Sequence, residues 1–196
     1  MKKLIKLGFF AGAMLLSGSV FAKDVDFSLS FENVENKKVE FKLTNAQNVA
    51  IYLYNEAQSE IYSEKILNEN NVVKSYDLAD MPDGNYFLVA ESSDKLERYK
   101  ITVNNKQLFV DETPVSAIAK PQFNIEGNRV KMYIPNINGA VNISVYDLQD
   151  NDYYENKKEA QGDLSMVFDL NPDASKNYVI NVEMEGNSFN KIISLK

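Results

Sequence analysis

Val25, Phe27, Leu29 and Phe31 alternate with Asp26, Ser28, Ser30 and Glu32, one apolar residue and one polar residue in turn. A strand sends successive side chains to opposite faces, so this pattern predicts a strand with one buried face and one wet face. Val39, Phe41 and Leu43 repeat it against Glu40 and Lys42, and Val49, Ile51 and Leu53 repeat it again. Further strands are predicted near 61–66, 72–78, 85–91 and 98–103, then near 123–125, 130–134, 141–146, 153–157, 164–170, 178–184 and 189–195. Asn, Asp, Gly and Pro punctuate the intervals, and outside the first 22 residues no segment of twelve or more carries a helical period. The expectation is an all-β chain of antiparallel β-sandwiches, with about seven short strands in each.

The pattern occurs twice. Val49-Ala50-Ile51-Tyr52-Leu53-Tyr54-Asn55 matches Val141-Asn142-Ile143-Ser144-Val145-Tyr146-Asp147, 92 positions on. At the same offset Tyr76-Asp77-Leu78 matches Phe168-Asp169-Leu170, and Asn85-Tyr86-Phe87-Leu88 matches Asn177-Tyr178-Val179-Ile180. An ungapped register held over three separate segments marks a duplicated unit. Residues 23–110 are read as the first sandwich and 120–196 as the second. Between them, 111–119 is read as a linker, where prolines and small residues interrupt the alternation.

Residues 1–22 belong to neither unit. Lys2, Lys3 and Lys6 form a basic start, an apolar run follows from residue 7 to 16, and Val20 and Ala22 stand before Lys23 as small residues at a cleavage site. This is the pattern of a secretory signal peptide, and its apolar run is short for a bilayer. The chain is therefore expected to be exported, to the periplasm, the outer surface or the medium. No transmembrane segment is expected in its mature part.

Composition narrows the chemistry. Among the 196 residues there is no Cys, His or Trp. Thiol nucleophiles, disulfides, Cys/His zinc sites and imidazole bases are thereby excluded. The formal net charge of −7 falls by a further three, to −10, when the three signal-peptide lysines leave. With only Arg98 and Arg129 as arginines and the lysines scattered among acids, there is no basic footprint for nucleic acid. No cofactor fingerprint, phosphate loop or nucleophile elbow is present, so neither a cofactor nor an enzyme is expected.

The second unit resembles the C-terminal sorting domains carried by cargo of the Bacteroidetes type IX secretion system. The resemblance rests on Pro135-Asn136, on Val141-Asn142-Ile143-Ser144-Val145-Tyr146-Asp147-Leu148, on Asn177-Tyr178-Val179-Ile180 and on Lys191-Ile192-Ile193. It implies an immunoglobulin-like sandwich of about seven strands that serves as an export address, with export machinery as a partner. The first unit looks like the same fold, and its Gly84-Asn85-Tyr86 stands closer to the family's Gly-x-Tyr. The family's usual Gly after the Tyr-Asp strand is replaced by Gln149-Asp150-Asn151-Asp152, and no separate passenger remains beside the two units.

Two sets of side chains are candidates for function. Tyr52, Tyr54, Tyr62, Tyr146, Tyr153 and Tyr154 could form a binding face for an envelope protein or a surface polymer, since exposed Tyr offers a flat ring with a polar tip. Cross-strand pairing that only stabilises the sheet is the plainer account of the same residues. Asp147, Asp150 and Asp152 could bind Ca²⁺, although the spacing lacks the Gly and the closing Glu of an EF-hand and suits an ordinary turn. Asp77 and Asp169 recur at one repeat position. That favours a structural role over a hydrolytic pair, which needs two unlike carboxylates at one cleft. The leading expectation is an exported, non-catalytic binding protein, ahead of a secretion or surface-attachment module and of a hydrolase.

Overall fold

The computed structural model describes residues 26–35, 37–67, 69–105, 107–149 and 151–195. The predicted signal peptide lies outside them. All regular structure in the described residues is antiparallel strand. In the first unit β1 (Ser28–Glu35), β2 (Lys38–Thr44) and β5 (Asn71–Asp77) form one sheet in the order β1-β2-β5. β3 (Val49–Asn55), β4 (Glu60–Ile66), β6 (Gly84–Glu91), β7 (Lys95–Asn104) and β8 (Gln107–Val110) form the facing sheet in the order β4-β3-β6-β7-β8. Strand order 1-2-5 against 4-3-6-7 is an immunoglobulin-like arrangement, with the fourth strand on the sheet of the third, sixth and seventh. The apolar sets read from the alternation fill the space between: Val39, Phe41 and Leu43 from one sheet meet Val49, Ile51, Leu53, Leu88 and Ile101 from the other, each at most 3% exposed.

The second unit repeats this order in fused form. β10 (Gln122–Glu126) answers β1, β11 (Arg129–Asp147) answers β2 and β3 together, and β12 (Asp152–Asp169) answers β4 and β5 together. β13 (Asn177–Met184) and β14 (Asn187–Ser194) answer β6 and β7. The first half of β11 pairs with β10 and the second half with β13, so one bent sheet does the work of two. The bend falls at a register break between Ile134 and Ile137, opposite Gly162. Asn136 has φ 52° there and Gly162 has φ 87°, the left-handed region that Asn and Gly enter at low cost. Strands that switch sheets do so through such bends. Val130, Met132, Ile143, Val145, Tyr178 and Ile180 form a second core between the two halves.

Each unit has a corner tyrosine beside an Asn. The Tyr86 hydroxyl donates to the Pro82 carbonyl at 2.8 Å, and the Tyr178 hydroxyl to the Asn171 carbonyl at 2.6 Å. A Tyr that opens the sixth strand and bonds back to the preceding connection is a recurrent device of immunoglobulin-like sandwiches.

The segment read as a linker is partly ordered into the fold. It contains β9 (Ser116–Ala119), which pairs with the first half of β7. Ile118 on β9 is 3% exposed and belongs to the second core, while its backbone lies in the first unit's sheet. One residue further on, the Lys120 amide donates to the Asp94 carbonyl at 2.7 Å, and its ammonium reaches the Glu91 carboxylate at 2.5 Å and the Ser92 carbonyl at 2.6 Å.

Candidate functional site

The larger sheet of the first unit presents its outer face through alternate residues of β3, β6 and β7. Val49, Ile51 and Leu53 point inward, so Tyr52 and Tyr54 point outward. Their rings stack with centroids 5.9 Å apart and an interplanar angle of 25°. In register Tyr52 stands beside Val89, and Val89 beside Arg98; the next row runs Tyr54, Phe87, Lys100. Phe109 of β8, opposite Thr102, extends the face at the far side and is 55% exposed.

Arg98 is held flat on this face. Its guanidinium carbon lies 3.9 Å from the Phe87 ring centroid, and its Nη2 donates to the Gln58 side-chain oxygen at 3.1 Å. Its Nε is buried without a hydrogen-bond partner, a cost accepted to keep the group against the ring. A cation over an aromatic face gains about 0.5–1 kcal/mol at exposed sites, and the stacked side chain loses little further freedom when a ligand arrives. Partial burial, and then the negative charges of Glu91 and Glu60, push the Tyr52 hydroxyl up from its ordinary pKa. Burial and Glu60 lead the same effect at Tyr54. Both hydroxyls therefore remain neutral donors and acceptors at any physiological pH.

The six tyrosines expected to share one face do not. Tyr146, the counterpart of Tyr54, faces outward in the second unit, where its row is Tyr146, Val179, Ile192. Tyr62 and Tyr154 pair with the inward residues Leu53 and Val145, so they lie on the core-facing side of their edge strands. There Tyr62 meets Tyr76 edge-on at 5.2 Å, and Tyr154 meets Phe168 edge-on at 5.8 Å. Tyr153 sits in a register break, with its ring 5.1 Å from Tyr178 and its hydroxyl donating to Oδ2 of Asp147 at 3.0 Å. Cross-strand and cross-core pairing accounts for these three; Tyr52 and Tyr54 are left on the open face.

The acidic candidates are engaged locally. Asp147 is 2% exposed and accepts the amides of Gln149 and Asn151 at 2.9 and 3.0 Å, besides the Asn151 side-chain amide and Tyr153. Its oxygens close the turn between β11 and β12. Asp152 opens β12 on the exposed side, and Asp150 lies outside the described residues. Among the described residues no three acidic side chains come together as metal ligands. Asp77 pairs with Lys38 at 3.5 Å, and Asp169 takes both the Nε and the Nη2 of Arg129 at 2.7 and 3.1 Å. They are the same ion pair, once in each unit.

Phe87, Val89, Arg98 and Phe109 were not among the expected site residues. The uninterrupted apolar run of β6 conceals which of its side chains point outward, and only the parity of β7 reveals it. Val89 is outward yet 7% exposed, in register between Tyr52 and Arg98.

No protein-family model matches the chain, and no curated relative matches it. Among solved structures it is similar to the BSP domain of a biofilm associated protein, with 13% identity and a TM-score of 0.29. That match covers 85% of this chain and 29% of the other. Native alpha-2-macroglobulin from Escherichia coli, spanning domains MG0-NIE-MG1, matches with 12% identity and a TM-score of 0.29, over 88% of this chain and 65% of the other. Bovine butyrophilin matches with 9% identity and a TM-score of 0.27, over 88% of this chain and the whole of the other. The chain thus spans less than two thirds of the first two. Likeness at this level leaves the site to be read from its own geometry.

Proposed function

We propose that this chain is an exported, non-catalytic binding protein of the cell envelope or surface, and that the outer face of β3, β6 and β7 is its contact surface. The supporting observation is a contrast between two copies of one framework. The inward features recur in both: the corner tyrosine and the edge aromatic pair. On the outer face Tyr54 recurs as Tyr146, but the row beside it does not recur. Where the first unit carries Tyr52, Val89 and Arg98 in one row, the second carries Ser144, Asn181 and Asn190. A framework needs its core and corners twice, but it needs a contact surface only where something is contacted. Two stacked tyrosines, an outward Phe and a flattened Arg are the residue types that dominate contact energy once water is excluded.

The partner chemistry that suits this face is a flat apolar or sugar-ring surface for Tyr52 and Tyr54, with an acceptor group near Arg98. Co-sedimentation of the purified protein with isolated cell envelopes tests the reading. Replacing Tyr52 and Tyr54 together by Ser weakens retention about tenfold or more, with the circular dichroism spectrum unchanged; unchanged retention contradicts it.

A further inference from the structure

Arg98 and Lys100 alternate with the buried Tyr99 and Ile101 on β7, so both point to the outer face. They are two neighbouring cations in a chain whose formal net charge is −7. Lys38, Lys74 and Lys95 of the same unit each reach a carboxylate within 3.5 Å, whereas neither Arg98 nor Lys100 is in an ion pair among the described residues. Arg98 also leans out of its own row. Its guanidinium lies over the Phe87 ring and is tied to Gln58 in the turn after β3, which places it in the row that runs Tyr54, Phe87, Lys100. A tyrosine ring, a planar cation and an ammonium follow one another across the sheet. In the second unit the positions of Arg98 and Lys100 are held by Asn190 and Ile192, which carry no charge.

Charge is graded across the strands. Glu60 of β4 pairs with Tyr54 of β3, so a carboxylate stands on one side of the tyrosines and the two cations on the other. Neither the groove beside Phe123 nor the smaller one beside Ile118 is lined by Tyr52, Tyr54, Phe87 or Arg98. β3, β6 and β7 are each paired on both sides, so the face is the middle of a sheet and not its edge. The commonest modes of peptide recognition add a strand to an edge or seat side chains in a groove. A flat aromatic surface with neither takes rings laid against it.

We propose that this face binds an anionic polysaccharide whose pyranose rings carry carboxylates. The inference rests on the reading of the outer face as the contact surface and names what is contacted. The polymer lies along β3, with its rings against Tyr54 and Tyr52, whose centroids are 5.9 Å apart. Neighbouring strands are about 4.8 Å apart, so a carboxylate on the ring at Tyr54 meets the guanidinium over Phe87, with Lys100 behind it. The planar fork of an Arg takes both oxygens of a carboxylate, and stacking on Phe87 has already fixed its plane. The opposite edge of the ring turns its hydroxyls to Glu60, which accepts their hydrogen bonds.

The test is calorimetric titration of the full chain with polygalacturonate, alginate and hyaluronate, beside their methyl-esterified forms, neutral dextran and poly-glutamate. At least one uronate polymer binds, and its ester binds about tenfold or more weakly, because the charge-assisted bonds to Arg98 are lost. Arg98→Gln weakens binding of the acid form by a similar factor at an unchanged unfolding midpoint. Arg98→Lys keeps the charge without the fork and recovers only part of the affinity. Lys100→Gln, which disturbs no contact with Phe87, weakens binding in the same direction and steepens no unfolding transition. The proposal is overturned if none of the uronate polymers binds at millimolar uronate, if esterification or Arg98→Gln leaves the affinity unchanged, or if poly-glutamate binds as tightly, since the site then belongs to an acidic peptide. Envelope retention that needs Tyr52 and Tyr54 but survives both Arg98→Gln and competition by the uronate polymers keeps the face as the contact surface and removes only the anionic polysaccharide.

Discussion

Tyr154 lies edge-on against Phe168 with ring centroids 5.8 Å apart, and the contact spans the fold. The backbone of Tyr154 pairs with Val145 in the half of the sheet that carries β13, whereas Phe168 pairs with Val130 in the half that carries β10. Tyr62 and Tyr76 make the same contact in the first unit at 5.2 Å, 92 residues earlier. In the first unit Tyr76 also donates to Glu64 at 2.7 Å, and Lys74 reaches the other oxygen of that carboxylate at 2.7 Å. Each aromatic pair pins an edge strand to the opposite layer.

Replacing Tyr62 or Tyr154 by Leu keeps an apolar side chain and removes the ring-to-ring geometry. Each change lowers stability by about 0.5–1.5 kcal/mol, the worth of an aromatic pair beyond its buried area. Urea unfolding measures it as a lower midpoint at unchanged slope. Equal losses in the two units support a shared structural role.

The strands and the duplication were legible because both are properties of period and offset. Alternation fixes which residues share a face, and Val39, Phe41, Leu43 and their repeats proved to be core. Three features were not legible, each for a physical reason. The fusion of strands into β11 and β12 depends on Asn136 and Gly162 bending a paired ladder where the first unit interrupts it, and both solutions carry turn residues at that point. β8 and β9 have four residues each, too few for a period, and they stand either side of a Pro-containing turn. Which side of the sheet Tyr62, Tyr153 and Tyr154 take was not legible because β4 and the start of β12 bury few side chains, and a register break before each aromatic pair shifts parity.

Asp147 makes the turn between β11 and β12 sensitive to acid. The Asn151 side-chain amide does most to favour its carboxylate, burial opposes, and the amides of Asn151 and Gln149 and the Tyr153 hydroxyl complete the effect. The outcome is a pKa lowered from 3.8 to about 2. A carboxyl whose folded pKa is depressed contributes stability above its unfolded value and loses it as pH falls through the folded one. Stability is therefore expected to decline between about pH 4 and pH 2, and Asp147→Asn flattens that part of the profile. Asp163, favoured by the Asn136 amide and the Tyr133 hydroxyl, and Asp169, favoured by Arg129, act in the same direction. Denaturation midpoints measured across that range give the check; an unchanged slope in Asp147→Asn would discount the role of this carboxylate.

Ile118 ties the two units together. Its backbone is a rung of the first unit's sheet, opposite Leu96, and its side chain is buried in the second core. Ile118→Ala leaves a cavity and costs about 2–4 kcal/mol. The loss is expected in the second unit, read as faster hydrogen exchange in β11 and β13 while β2 and β5 stay protected. Faster exchange confined to the first unit would contradict the placement of this side chain.

The contrast between the two outer faces invites a direct exchange. Tyr52→Ser, Val89→Asn and Arg98→Asn together give the first unit the row that the second unit carries as Ser144, Asn181 and Asn190. All three positions lie on the outer face and outside the cluster between the sheets, but Val89 is 7% exposed, so the comparison needs variants of equal stability. The measurement is the affinity of this variant for isolated cell envelopes beside that of the unaltered protein, at matched unfolding midpoints. A loss of about tenfold or more is the predicted result; affinity equal to that of the unaltered protein would remove the outer face of β3, β6 and β7 from the function.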